Sequence, residues 1–97
     1  MKQFDPKQPW EEYYLGFDFA RLLGSETVAS ALFTVTESGE DVTATMLDGA
    51  QQYNAGAVAY CWIRAGTTGK NYIITCQVTG SAGSKYEDEG RIRVKET

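Results

Sequence analysis

The 97-residue sequence contains no histidine. Histidine is the commonest general base and the commonest transition-metal ligand, so its absence removes most familiar catalytic and metal sites. The sequence also lacks a nucleophile-elbow motif and a P-loop, because its G-T-T-G segment is a turn that no helix follows. It therefore predicts a protein that is not an enzyme and that uses no cofactor and no metal.

Cysteine, proline and long apolar runs are also scarce. Two cysteines are too few for a disulfide scaffold, and no apolar run approaches the length of a transmembrane helix. The N-terminus, M-K-Q-F-D-P-K-Q-P-W-E-E, lacks the apolar core of a signal peptide. These features predict a chain that is made and folded in a reducing cytoplasm.

Positive charge is in short supply. Nine lysines and arginines stand against 13 aspartates and glutamates, which gives a formal net charge of −4. A phosphate binder needs clustered cations to release counterions, whereas these are scattered among carboxylates. The composition argues against nucleic acid and against an anionic membrane as partners.

The sequence is rich in residues that favour strands. Aromatic residues make up 12% of the chain and ten glycines supply turns. Alternation with period two is clearest at Tyr72, Ile74, Cys76 and Val78. In the second strand the alternation slips between Val28 and Ala31, which predicts a bulge. Six strands are predicted, at residues 13–23, 27–36, 42–47, 57–64, 72–79 and 85–95, and a further short edge strand is expected within 48–56. The A-R-L-L tail of the first strand is expected to add a helical turn that ends at Gly24.

Short strands separated by glycine turns, with no helix-length amphipathic pattern, predict an all-β fold. We expect an immunoglobulin-like β-sandwich of about seven antiparallel strands over residues 13–97, with a small barrel as the alternative. The strands before and after the A-G-T-T-G-K-N connection then lie in opposite sheets. Tyr72 resembles a tyrosine corner, with a buried ring and a hydroxyl bonded to nearby backbone. Residues 1–12 are predicted to form an extended N-terminal arm, because Pro6 and Pro9 bias their neighbours away from helix.

Five residues are candidates for protein contacts: Phe4, Pro6, Pro9, Trp10 and Trp62. Phe4 and Trp10 are large apolar groups on a segment with little else to bury them. Each of them either folds back to cap the domain or docks on another subunit. We expect Trp10 to cap the domain, and for Phe4 both alternatives stay open. Trp62 faces outward because its neighbours Cys61 and Ile63 claim the inner face, so it is a contact hot spot that Tyr14, Tyr53 and Tyr60 could join. The alternative is that the 48–56 loop covers it.

Cys61 and Cys76 both point into the predicted core. They are either two buried thiols that act as small hydrophobic groups, which we prefer, or partners in a cross-sheet disulfide. The three carboxylate groupings, Glu11–Glu12, the E-S-G-E-D turn and the Y-E-D-E-G run, are read as solvated surface, and the last as a charged strand edge that discourages aggregation.

Four stretches of the chain occur together in one known family. They are F-D-P-K-Q-P-W-E-x-Y-x-L-G-F-D-F, L-L-G-S-E-T-V-A-S-A-x-F-T-V, W-I-R-A-G-T-T-G-K-N-Y-I-I-T-C-Q-V-T and the closing R-I-R-V. Together they resemble a family of small tailed-bacteriophage structural proteins, often described as fibre–tail adaptor proteins. The cysteine pair and the E-S-G-E-D turn depart from the family pattern. The positions that fill the pattern are Lys7, Pro9, Glu11, Asp18, Gly24, Glu26, Val28, Trp62, Gly66, Gly69 and Tyr72.

The resemblance implies a non-catalytic structural protein of the virion. Its partners would be other virion proteins (tail, portal or fibre subunits, or the capsid), contacted by multiple copies per particle. The main hypothesis is an adaptor that connects tail or portal components to fibres. The alternatives are a capsid decoration or cement protein of the same fold, and a carbohydrate-binding module that reads a host glycan with Trp62 and tyrosines.

Overall fold

The computed structural model of the chain describes residues 2–96. Strands hold 54% of the residues and helices 8%, which confirms the all-β prediction. The strands form two separate sheets, one of three strands and one of five. Among the described residues, no helix is long and apolar enough to cross a membrane.

The three-stranded sheet has the order β2-β6-β5 and is antiparallel throughout. Its strands are β2 (Tyr13–Asp18), β5 (Tyr53–Ala55) and β6 (Val58–Ile63). Burial alternates residue by residue along β2 and β6, because one face of this sheet covers the core and the other faces solvent. β5 is the short edge strand that the sequence allowed within 48–56.

The five-stranded sheet has the order β1-β8-β7-β3-β4. All of its pairs are antiparallel except β1 with β8, which is parallel. The register of β3 against β7 shifts between Val28 and Ser30, which confirms the predicted bulge. The strands are β1 (Lys2–Gln3), β3 (Val28–Glu37), β4 (Glu40–Asp41), β7 (Asn71–Gly80) and β8 (Lys85–Arg93).

The core lies between the two sheets. Its largest fully buried apolar side chains are Phe17, Phe19, Met46, Ile63, Ile74 and Ile92. β6 and β7 contribute to it from opposite sheets, as the sequence predicted for the strands on either side of residues 64–70. Tyr72 is 4% exposed and its hydroxyl accepts a 2.9 Å hydrogen bond from the backbone N–H of Thr67, so the tyrosine-corner geometry is confirmed.

One predicted strand is wrong. Residues 42–47 do not continue the sheet, because a short helix, α2 (Thr43–Met46), replaces the strand. The Asp41 carboxylate accepts hydrogen bonds from both the backbone N–H and the hydroxyl of Thr43, which turns the chain away from β3. A helical turn then places Val42 and Met46, four residues apart, on one face that packs on the core. The alternation in the sequence was compatible with either structure.

The other helix, α1 (Ala20–Leu23), is the predicted A-R-L-L turn, and it ends at Gly24, which has a φ of +63°. Leu23 enters the core, whereas Leu22 is 46% exposed. Glu26 fastens this end of the molecule. Its two carboxylate oxygens accept hydrogen bonds from the Ala82 N–H and the Ser84 hydroxyl, both at 2.9 Å, in the turn between β7 and β8.

Residues 2–12 run along the domain instead of projecting from it. After β1, the backbone N–H of Phe4 donates to the carbonyl of Arg91, and the backbone N–H of Lys7 donates to the carbonyl of Arg93, both at 2.9 Å. The Phe4 ring packs edge-on against Phe17, with ring centres 5.4 Å apart. This segment therefore lies along the side of the sandwich where β2 is the edge strand of one sheet and β1, paired with β8, is the edge strand of the other.

Candidate functional site

The outer face of the three-stranded sheet carries four aromatic side chains, Tyr14, Tyr53, Tyr60 and Trp62, which we name the outer aromatic cluster. Strand register brings them together, because Tyr14 lies opposite Trp62 and Tyr53 lies opposite Tyr60. Tyr14 packs edge-on against Tyr53 and against Trp62, at 4.9 Å between ring centres in both cases. Tyr53 and Tyr60 are stacked at 4.6 Å. The tyrosines that the sequence suggested as neighbours of Trp62 are thus joined with it.

A glycine makes room for this cluster. Gly16 lies opposite Tyr60, and a Cβ atom at Gly16 would be 2.8 Å from a carbon of the Tyr60 ring. The ring therefore lies across the strand where a side chain would otherwise stand. This is the cross-strand packing by which an aromatic ring covers a glycine in a sheet.

The cluster is half open to solvent. Tyr14 is 40% exposed and Tyr53 is 45% exposed, while Tyr60 and Trp62 are partly buried. The indole N–H of Trp62 donates a 3.1 Å hydrogen bond to the Glu12 carboxylate. That bond satisfies the polar end of the ring and connects the cluster to the segment that precedes β2.

Residues 8–12 form a compact turn with Trp10 at its tip. The Gln8 N–H donates to the Glu11 carboxylate at 2.7 Å, and the Glu11 N–H donates back to the Gln8 carbonyl at 3.1 Å. Trp10 is 91% exposed, so it does not cap the domain as the sequence suggested. A depression of about 470 Å³ lies beside it, lined by Pro9, Trp10, Glu12, Arg64 and Ala65.

Lys7 fixes the position of this turn. Its side chain is fully buried, and its ammonium group donates hydrogen bonds to the carbonyls of Ala65 at 2.6 Å, Gln8 at 2.8 Å and Pro9 at 3.3 Å. Burial lowers the pKa of Lys7, and the nearby carboxylates of Glu11 and Glu12 partly oppose that shift. The ammonium group therefore ties the start of the Trp10 turn to the chain that follows β6.

Of the remaining candidates, Pro9 lines the depression beside Trp10, whereas Phe4 and Pro6 do not. Phe4 is partly buried and covers Gly90, where an added Cβ atom would clash with its ring. Pro6 is exposed and Pro9 is half-buried. Sequence reasoning had kept open whether Phe4 docks on another subunit, and here its ring closes the edge of its own core.

Cys61 and Cys76 are free thiols, and both are buried. Burial raises the pKa of each thiol to about 12. At neutral pH both groups are therefore protonated, and they pack in the core as small hydrophobic side chains.

Sequence reasoning missed two parts of the site, Lys7 and Gly16. Lys7 was noted only as a position of the family pattern, because a lysine is seldom fully buried. The available signal was its place between two prolines, where the carbonyls of Gln8 and Pro9 can turn toward its ammonium group, but the third carbonyl, of Ala65, gives no local signal. Within residues 2–96, no three histidine, cysteine, aspartate or glutamate side chains come together as a metal site would require.

Comparison with known proteins agrees with these observations. None of the curated proteins matches the chain. The family model described as podophage GP4 fiber-tail adaptor protein gp77 matches residues 7–95, a range that contains the Lys7 anchor, the Trp10 turn and the outer aromatic cluster. The chain belongs to the podophage GP4 fiber-tail adaptor protein gp77 family and is a phage structural protein.

Proposed function

We propose that this protein is a non-catalytic component of the virion that connects tail or portal components to fibres through protein–protein contacts. The family match over residues 7–95 carries this proposal. The exposed aromatic surface supports it, because aromatic side chains that are held in place are the usual energetic centres of protein interfaces.

We further propose that Trp10 and the outer aromatic cluster form one docking surface. Glu12 links them, since it lies beside the Trp10 depression and accepts the hydrogen bond of the Trp62 indole. The Lys7 hydrogen bonds hold the turn before binding, so little conformational entropy is lost when a partner covers Trp10. With several copies around the tail, modest contacts of this kind would add through multivalency.

The immunoglobulin-like assignment is part of the same proposal. The order β2-β6-β5 in one sheet and β8-β7-β3 in the other corresponds to the B-E-D and G-F-C orders of that fold. β4 would then stand for the extra strand of variable-type domains, and Tyr72 opens the strand in the F position. On this reading residues 13–97 form the immunoglobulin-like domain, and the N-terminal segment packs along it and orients Trp10.

The carbohydrate-binding alternative fits the surface less well. Sugar rings stack on flat aromatic faces, but Tyr14 stands nearly perpendicular to Tyr53 and Trp62, at 89° and 81°. The cluster therefore offers ring edges as much as faces. Capsid decoration would use the same kind of protein contact and differs from the main proposal only in location.

Cryo-electron microscopy of phage particles tests the proposal by location. We expect density for the domain at the tail vertex, between the tail or portal and the fibres. Density on the head surface alone would replace the adaptor by a decoration protein, and particles without the domain would overturn the virion assignment.

A further inference from the structure

β3 has an open edge. It pairs with β7 from Val28 to Thr36 on one side, but on the other side β4 pairs only with its last two residues, Thr36 and Glu37. No other strand of residues 2–96 pairs with β3 on that side. The edge from the bulge to Val35 therefore depends on other groups for its hydrogen bonds.

Backbone alternation identifies which groups face this edge. In an antiparallel ladder, successive residues direct their N–H and C=O groups to opposite sides. The Gly80 N–H donates to the carbonyl of Ser84. The even-numbered residues of β7 therefore form their backbone hydrogen bonds with β8, and the odd-numbered residues form theirs with β3. Leu32 and Thr34 of β3 lie opposite odd-numbered residues of β7, so their backbone groups bond to β7. The backbone N–H and C=O groups of Ala31, Phe33 and Val35 therefore face the open edge.

Part of the edge is already covered. The Val35 carbonyl accepts from the Val42 N–H, and the Val35 N–H donates to the Thr43 hydroxyl, both at 2.9 Å. The Ala31 carbonyl accepts a 3.0 Å hydrogen bond from the Gln52 side chain. Between them, the N–H of Ala31 and both backbone groups of Phe33 have no hydrogen-bond partner among the described residues.

A groove of about 580 Å³ runs beside this stretch. It lies where the sequence predicted a strand over 42–47, and it exists because α2 turns away from β3. Both apolar and polar residues line the groove. The lining residues are Phe33, Asp41, Val42, Thr43, Leu47 and Gln52, together with Ala44, Thr45 and Gly49.

The surroundings of the groove are acidic. Asp41 lines the groove, and Glu40 precedes it in β4. The only ion pair within residues 2–96, Lys70 with Glu37 at 4.0 Å, involves neither of them. Hydrogen bonds from the Thr43 hydroxyl and backbone N–H hold the pKa of Asp41 below its ordinary value, so it is ionised at neutral pH. With a net charge of −4, a second copy of this chain is a poor match for this rim.

We infer that the open edge of β3 at Ala31–Phe33 is a second docking site, where an extended segment of another virion protein adds as a strand. The segment bonds Ala31 and Phe33 through its backbone, places an apolar side chain in the groove and a lysine or arginine near Glu40 and Asp41. This inference rests on the proposed adaptor function, because the partner is a virion protein. It adds a site distinct from the outer aromatic cluster.

Hydrogen exchange on the free protein and on intact particles tests this site. In the free protein, the amides of Ala31 and Phe33 should exchange much faster than those of Leu32 and Thr34, which bond β7. In particles labelled intact, then quenched and dissociated, Ala31 and Phe33 should slow at least tenfold. Leu32 and Thr34 serve as internal controls, and unchanged exchange of Phe33 in particles that contain the protein would overturn the inference.

A groove-filling variant gives a second readout. A Cβ atom at Gly49 would meet nothing within 4 Å, so this position has room for the start of a side chain, and Gly49→Trp introduces a ring at the groove wall. Ala82→Trp, on the exposed turn between β7 and β8, is the matched control. We expect both variants to have the thermal stability of wild type. In competition with wild type, Gly49→Trp should reduce the number of copies per particle at least tenfold, whereas Ala82→Trp should not.

The outcomes separate the two proposals. Normal incorporation of Gly49→Trp, together with an unprotected Phe33 amide, removes the β3 site and leaves the adaptor function standing. Absence of the wild-type protein from particles removes both.

Discussion

At the scale of single residues, Lys7 is the most informative side chain. A buried ammonium group is costly unless its hydrogen bonds are satisfied, and here three carbonyls satisfy it. The same three bonds hold Gln8 and Pro9 and so position Trp10. A residue of the core thus determines how the most exposed aromatic ring of the molecule is presented.

The two buried thiols make stability depend on pH. Their folded-state pKa of about 12 lies above the ordinary value of 9.0, so the unfolded chain loses these protons first. The stabilisation is complete below pH 9 and is lost as pH rises from 9 toward 12. Between pH 9 and 10 we expect a loss of about 1 kcal/mol in the free energy of unfolding for each thiol.

Urea unfolding under reducing conditions at pH 8, 9 and 10 measures this loss. The control is the Cys61→Ala/Cys76→Ala double variant. The difference in the free energy of unfolding between wild type and this variant isolates the contribution of the thiols at each pH. The lowered pKa of Lys7 and the raised pKa of Tyr13 act equally in both proteins. A difference that stays constant across this range would contradict the assigned thiol pKa values.

At the scale of elements, the N-terminal segment packs against both sheets. Phe4 fills the space above Gly90, and β1 extends the large sheet beside β8. Gly90→Ala should therefore displace the Phe4 ring and lower the free energy of unfolding by about 1–3 kcal/mol.

A double-mutant cycle checks this contact. Phe4→Ala should also destabilise the protein, but Gly90→Ala in the Phe4→Ala background should cost less than 0.5 kcal/mol or so, because no ring remains to clash. Denaturant unfolding of the four proteins gives the coupling. Additive effects of the two changes would show that residues 2–7 do not pack on β8 in solution.

The elements also show what the sequence could predict. Strands with one buried face, such as β6 and β7, were predictable because period-two alternation reports the face directly. The turn at α1 was predictable from Gly24. α2 was not, since V-T-A-T-M-L alternates like a strand, and the hydrogen bonds of Asp41 with Thr43 that decide the outcome are local side-chain geometry.

The candidate surface was predictable in part for the same kind of reason. The outward direction of Trp62 followed from the alternation of Cys61 and Ile63. Its tyrosine neighbours depended on strand register, which single-strand patterns do not fix. The burial of Phe4 depended on the pairing of β1 with β8, and the position of Trp10 depended on the hydrogen bond from Lys7 to Ala65. Both contacts join residues far apart in the chain, so no local pattern reports them.

At the scale of the whole molecule, the fold is an elongated sandwich of 42 × 23 × 21 Å with its apolar groups facing one core. Two features of its surface suit a connecting protein. One is the aromatic surface of Trp10, Tyr14, Tyr53, Tyr60 and Trp62, and the other is the open edge of β3. They are formed by different sheets, so one domain could contact two partners at once.

The central claim is that the aromatic surface attaches this protein to the virion. The most direct measurement is the incorporation of a Trp10→Ala/Tyr53→Ala variant into particles, in competition with wild type, with Leu22→Ala as an equally apolar exposed control in α1. Loss of two interface aromatics predicts binding weaker by on the order of 30-fold or more, and a corresponding loss of copies per particle, while the isolated domain remains folded. Incorporation of the double variant at the level of wild type and Leu22→Ala would contradict the account.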